Sequence, residues 1–219
     1  MKLLTLTTSL ACIILFSCGD GDKKTTEEKM SNSDSNSNTT SSDVKDAPVQ
    51  PMDSAAMMKA WMEYMTPSDV HKMIAKSNGT WTEEVTMWMA PDAPPQKNTS
   101  TAVNKMILGG RYQESRHTGT FDGMPFEGIS TLAYDKARKI FQSSWIDNMG
   151  TGIMYLEGPY DSTTRTITLT GKGVDPMTGA NMDIRENYIM MDDNNHKLEM
   201  FCNKGGKEFK AMEIVLKRK

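Results

Sequence analysis

Few residues in this 219-residue sequence combine a reactive type with a useful spacing. Of the three histidines, His71, His117 and His196, none stands at a ligand spacing from another. No cluster of cysteines or carboxylates completes a metal site either, so no metal and no cofactor is expected. His117 lies in the stretch 111–118, where both alternating faces are polar. Arg111, Gln113, Ser115 and His117 share one face, and Tyr112, Glu114, Arg116 and Thr118 share the other. A strand of this kind in a closed sheet implies that one polar face looks into a wet cavity. An enclosed Arg111 would then need a carboxylate, with Asp147 and Glu157 as candidates. His117 has the side chain of a general base, and the bland alternative for it is a satisfied structural histidine. There is no Gly-x-Ser-x-Gly elbow, no phosphate loop and no dinucleotide fingerprint. Cys202, beside Met200 and Phe201, reads as structural. Trp81, Arg111, His117, Trp145, Asp147 and Tyr155 remain as the candidate ligand-binding set, apolar surfaces paired with polar groups.

The elements that must position them are short and β-rich. From Thr80 onward, strands are expected near 80–89, 100–108, 111–118, 126–134, 139–146, 153–160, 165–171, 182–191, 196–203 and 207–217. Turn chemistry separates them: Asp122-Gly123, Asp147-Asn148-Met149-Gly150, Asp175-Pro176-Met177-Thr178-Gly179, Asp192-Asp193-Asn194-Asn195 and Gly205-Gly206. About ten strands joined as successive hairpins close most simply into an antiparallel up-and-down β-barrel, an all-β fold without free edges. On the first strand Trp81, Val85, Met87 and Met89, with Glu83, share the expected inner face. Two short helices precede the sheet across 53–78. Asp53 caps the first, whose Met57, Ala60, Trp61, Tyr64 and Met65 share one face. Thr66-Pro67-Ser68-Asp69 starts the second, with Val70, Met73 and Ile74 on its apolar side, and Asn78-Gly79 ends it.

The amino terminus reads as an export signal. Met1-Lys2, an apolar run to Phe16 and the small Ser17 before Cys18 give that layout over residues 1–17. The run is too short and too rich in hydroxyl residues for a permanent span. Leu15-Phe16-Ser17-Cys18 resembles a bacterial lipobox, although Phe16 departs from the commonest residue at its position. The resemblance implies that Cys18 is lipidated and becomes the first residue. Gly19 follows it rather than the aspartate that retains such proteins at the inner membrane, which implies the outer membrane of the cell envelope. Removal of 1–17 takes Cys12 with it and leaves Cys202 unpaired, so no internal disulfide is expected. Residues 18–52, with no apolar side chain from Ser31 to Ser42, read as a polar tether. A net charge of −3 without a basic patch gives no reason to expect nucleic acid as a partner.

Gly79-Thr80-Trp81, where a helix leads into the first strand, resembles the Gly-x-Trp motif of the calycins, the lipocalin-like barrels. In them the tryptophan plugs the barrel base under a basic residue near the last strand, a place that Arg218 occupies here. A more extensive resemblance covers roughly 67–218. Leu108-Gly109-Gly110-Arg111-Tyr112, Gly123-Met124-Pro125-Phe126-Glu127-Gly128, Tyr134-Asp135, Trp145-Ile146-Asp147, Glu157-Gly158, Asp175-Pro176-Met177-Thr178-Gly179 and Glu213-Ile214 are similar in order and spacing to the bacterial domain of unknown function 1579 family. Ala133 departs from a glycine common there. This resemblance implies a small β protein and no settled activity. Three functional readings follow: a barrel that binds a small apolar or amphipathic ligand, a non-enzymatic envelope protein that binds a macromolecule through its methionine-rich helices, and an enzyme that uses His117 with a carboxylate.

Overall fold

The computed structural model describes residues 53–219, so the signal, lipid-attachment and tether expectations for 1–52 lie outside the described residues. Helices α1 (Ser54–Met65) and α2 (Asp69–Ala75) come first. Asp53 caps α1 by accepting the Ala56 N–H at 2.7 Å. Ser68, rather than Thr66, caps α2, and its own N–H donates to His71 Nδ1 at 3.0 Å. His71 thereby serves the helix start, and burial lowers its pKa.

Eleven strands follow: β1 (Gly79–Met87), β2 (Gln96–Ile107), β3 (Tyr112–Phe121), β4 (Met124–Asp135), β5 (Ile140–Asp147), β6 (Met154–Gly158), β7 (Tyr160–Asp161), β8 (Thr166–Val174), β9 (Asn181–Met190), β10 (Asn195–Lys204) and β11 (Lys207–Arg218). Sequence neighbours pair antiparallel except β6 and β7, which both pair with β8; β1 pairs with β11, and β6 with β8 closes the ring. Met89, expected on the inner face of β1, lies beyond the end of that strand and is exposed. The result is a ten-stranded antiparallel barrel, because β6 and β7 are one interrupted strand. The expected strand 153–160 breaks at Pro159, which has no N–H to give to a ladder. Its carbonyl still accepts from Thr168 N–H at 3.0 Å.

Two local features make the closure possible. Asp122 and Gly123 both have positive φ, the geometry of the tight hairpin between β3 and β4. Gly158 passes so close to β8 that a Cβ there would stand 2.0 Å from the Thr168 carbonyl oxygen. On the outside, Lys197, Lys210, Glu199 and Glu213 form an ion-pair ladder across β10 and β11. Arg185 pairs with Glu208 and stacks on Phe201 at 4.0 Å. These half-exposed pairs fix register more than they stabilise.

The core forms two clusters. Ile74 of α2 joins Phe141, Leu156, Ile167, Leu169, Ile184, Met190 and Cys202 in one cluster. Trp81, Ala102 and Leu216 form a second. The connections 88–95, 122–123, 148–153, 175–180 and 205–206 lie at the end of the barrel away from α2, and no helix covers that end. Replacing Gly158 by alanine is expected to lower stability by more than about 2 kcal/mol, a drop in Tm of roughly 5 °C or more. Gly152→Ala, with open space around it, is expected to leave Tm unchanged in the same thermal scan.

Candidate functional site

The base of the barrel is built around Trp81, which is fully buried. Its indole N–H donates to the Ser77 carbonyl at 2.9 Å, and the Arg218 guanidinium lies 4.4 Å from its ring. Arg218 in turn donates to the carbonyls of Asn78, Lys76 and Asp193. Gln113 closes the same floor through Ile74 O, Asn78 Oδ1 and the Ser77 hydroxyl. Trp81 is thus a structural plug held by hydrogen bonds on every polar atom, as burial requires.

Above this floor the inner-facing side chains are only partly buried. Met87, His117, Ser130, Trp145, Met154, Glu186, Met200 and Met212 alternate with outward-facing neighbours, yet each keeps accessible surface. Small side chains explain that surface: Ser130 pairs across to Ser115, Leu132 to Ser143, and Ser100 to Gly119. Gly128 matters most. A Cβ on it would stand 2.4 Å from the Trp145 ring, so only glycine lets that indole lie flat along β4.

Trp145 meets the edge of the His117 ring, with centroids 5.1 Å apart, and Phe126 stacks 6.3 Å beyond it. The Trp145 N–H donates to Asp147 Oδ2 at 2.6 Å, while Asp147 Oδ1 accepts the Met149 N–H in the rim turn. His117 Nδ1 lies 3.1 Å from Oε1 and 3.2 Å from Oε2 of Glu83. Glu83 is almost completely buried and also accepts the Ser100 hydroxyl at 2.6 Å. With Nδ1–H committed to Glu83, a neutral His117 ring presents the lone pair of Nε2 to the interior. Among the described residues Nε2 makes no hydrogen bond.

A second carboxyl, Glu186, faces the same space. The cross-strand row through it reads Met87, Met212, Met200, Glu186 and Leu169, so its neighbours on the sheet are apolar. Protein surrounds most of the group, which keeps part of its surface accessible. It makes no hydrogen bond to any described residue. Desolvation pushes its pKa up to about 7, against a smaller opposing effect of the nearby His117 charge. Below neutral pH Glu186 is therefore an O–H donor in an apolar wall. Near the floor, Tyr188 O–H and His196 Nδ1 lie 2.6 Å apart. Desolvation holds His196 down to about 4 and raises Tyr188 above the usual phenol range.

Of the six residues expected from sequence, the structure brings three together: His117, Trp145 and Asp147. Trp81 is sealed in the floor. Arg111 lies in the β2–β3 turn outside the barrel, where it donates to Leu108 O at 3.1 Å, and it meets neither Asp147 nor Glu157. Tyr155 points outward and donates to Glu157, which is paired with Arg138. Gln113 and His117 share the inner face of β3, Gln113 sealed in the floor and His117 above it, whereas Arg111 precedes the strand and escapes its alternation. Glu83 shared the inner face of β1 in the sequence pattern. Glu186 gave no signal, because only the barrel closure sets β9 opposite His117. Cys202 is buried and unpaired, and burial raises its thiol pKa.

A family model matches residues 66–218, under the description "Protein of unknown function (DUF1579)". The chain belongs to the DUF1579 family. No curated protein matches it. Among solved structures, that of Rv2717c from M. tuberculosis is similar with a TM-score of 0.52 and 16% identity, covering 70% of this chain and 99% of that one. At that identity the likeness supports the barrel fold alone. Within DUF1579, then, this member carries an enclosed Glu83–His117 pair facing a lone Glu186. Among the described residues no three histidine, cysteine or acidic side chains gather as a metal site, and no helix is long and apolar enough to cross a membrane.

The two shifted interior groups act on stability in opposite directions. Glu186 ordinarily titrates at 4.5, so folding takes up its proton between 4.5 and about 7, and its contribution to stability is lost as pH rises through that window. His196 ordinarily titrates at 6.5, and its contribution is lost as pH falls from 6.5 to about 4. The two slopes largely cancel over pH 4.5–6.5. Glu186→Gln is expected to uncover the His196 slope in urea titrations. It should also gain roughly 3 kcal/mol over the natural protein at pH 8. A variant equal to the natural chain at both pH 5 and pH 8 would contradict the enclosed, protonated carboxyl.

Proposed function

We propose that this DUF1579 protein is an exported, lipid-anchored binding barrel that holds a small amphipathic molecule above its plugged base. The observation that carries this reading is the inner-face placement of two polar groups without hydrogen-bond partners among the described residues, His117 Nε2 beside the Trp145 and Phe126 rings and the Glu186 carboxyl in the methionine row. Unsatisfied polar groups in an apolar chamber cost stability, and a ligand that hydrogen-bonds them removes that cost. The polar end of the ligand would be a hydroxyl or carboxamide, able to donate to Nε2 and accept from the Glu186 O–H. A carboxylate on the ligand suits this interior poorly, because the carboxyls of Glu83 and Glu186 already face it. The apolar body would lie on Trp145, Met87, Met200 and Met212, adaptable surfaces of the kind methionine provides. Exposed Met89, Met124, Met149, Ile153 and Met177 ring the open end and suit the passage of an apolar molecule.

The test is native mass spectrometry of the full chain, taken in detergent from the envelope of the producing cell, before and after organic extraction. A reproducible extra mass of a few hundred daltons that extraction removes is expected. His117→Phe and Glu186→Leu should each lower its occupancy about tenfold, the effect of one lost hydrogen bond, whereas Arg111→Ala should not change it. A bare polypeptide mass in every preparation would end the proposal. The mass of the amino-terminal peptide in the same sample reports separately whether Cys18 carries lipid.

A further inference from the structure

Helix α1 has no buried residue. Met57, Met58, Trp61, Met62 and Tyr64 are each half exposed or more, and Trp61 lies against Tyr64 with ring centroids 6.2 Å apart. At 100° per residue these side chains, with Ala60 and Met65, cover a little over half of the helix circumference. Lys59 and Glu63, four residues apart, form the narrow polar strip that remains. Among the described residues the hydrogen bonds that tie the helix to the barrel are at its end, where Lys136 of the β4–β5 turn donates to the carbonyls of Glu63 and Thr66. A helix of 12 residues is marginal in water without packing. An apolar arc this wide is therefore matched to something outside the barrel.

We infer that α1 lies in the membrane–water interface, with Met57, Met58, Trp61 and Met62 among the lipid chains and Lys59 and Glu63 toward water. The place of the helix in the chain selects lipid over other occupants. The segment that precedes the described residues ends at Asp53, the cap of α1, and Cys18 stands 35 residues upstream. A chain anchored at Cys18 keeps α1 within tens of ångströms of the bilayer, an effective concentration on the order of millimolar that a diffusing partner does not match. Tryptophan and tyrosine are the residues that favour the headgroup level, and a strongly apolar face with a narrow polar strip suits the interface plane. The helix carries no positive excess, so the lipid it suits is zwitterionic. This inference rests on the reading of Cys18 as the lipid-bearing residue. One geometric consequence follows. Lys136 sits at the plugged end of the barrel, so α1 holds that end toward the membrane and the open mouth faces away from it.

The experiment is spin-label accessibility on the full chain in envelope membranes, in a Cys202→Ser background, with labels at Met57→Cys, Met58→Cys and Glu63→Cys. The expected ratio of oxygen to nickel-chelate accessibility is several-fold higher at 57 and 58 than at 63. Equal, water-like ratios at all three positions would overturn the inference. Spin–spin broadening at 57 or 58 would overturn it too, by showing a second copy over the helix. Loss of the signal contrast in a Trp61→Ser, Met62→Ser double variant with unchanged Tm would support it. The lipid mass on the Cys18 peptide is read from the same membranes. A lipidated Cys18 with water-like labels defeats the helix inference alone. An unlipidated Cys18 defeats the anchor, and the labels are then read with phosphatidylcholine vesicles, where the same contrast upholds the helix and its absence overturns it.

Discussion

The stacking of Arg218 on Trp81 is the contact on which the rest of this barrel depends. It joins the penultimate residue of the chain to the first strand, and its three guanidinium hydrogen bonds reach the end of α2 and the β9–β10 turn. Arg218 thereby satisfies carbonyls that the short helix leaves without partners and places a cation at its C-terminal end. Because the pairing of β1 with β11 ends at this residue, one side chain sets both the closure of the ring and the plug beneath it. Lysine could not reproduce this, since only the planar guanidinium can both stack on the indole and spread donors to separate acceptors.

The plug and the partly accessible interior are two outcomes of one distribution of side-chain volume. Phe141, Leu156, Ile167 and Leu169 fill the wall on β5 to β8, and Ile184 and Cys202 carry the same packing toward the end opposite the plug. On β2 to β4 the inner positions include the small residues Ser100, Ala102, Ser115, Gly128 and Ser130. Native interiors are packed close to crystal density, so a space bounded by serines and partly accessible methionines is a departure that a second molecule can fill. Trp145 lies along the sheet over Gly128 instead of crossing the chamber, which turns a large side chain into a wall.

The electrostatics of the chamber are those of a site held short of satisfaction. Glu83 is supplied by Ser100 and His117, whereas Glu186 sits in a methionine row with its charge opposed by desolvation. Two carboxyls in one low-dielectric space are tolerated because one is hydrogen-bonded and the other is neutral through much of the acid range. The cost of desolvating Glu186 and the protection of a neutral His196 fall in overlapping pH windows, which leaves the assembled protein less sensitive to acidity than either group alone.

The strand count, the cap of α1, the turns, the inner face of β1 from Trp81 to Met87 and the polar inner face of β3 were legible in the chain alone. Each of these follows from short-range chemistry: alternation along a strand, glycine and aspartate at positive φ, and a carboxylate at the start of α1. The plug under Arg218 was legible in the calycin resemblance. The family, too, was legible in the order of its turn motifs. The break of the sixth strand at Pro159 was legible in principle, since proline cannot feed a ladder. Only the tertiary structure decided the site. Glu83 and His117 are 34 residues apart and meet by a diagonal across β1, β2 and β3, while Glu186 reaches the same space only because β1 pairs with β11. Arg111 and Tyr155, chosen for their types, fell outside because one sits in a turn and the other has the opposite strand parity. Alternation assigns a residue to a face but not to a depth, and cross-barrel neighbours are set by closure and register, which no local pattern in the chain encodes.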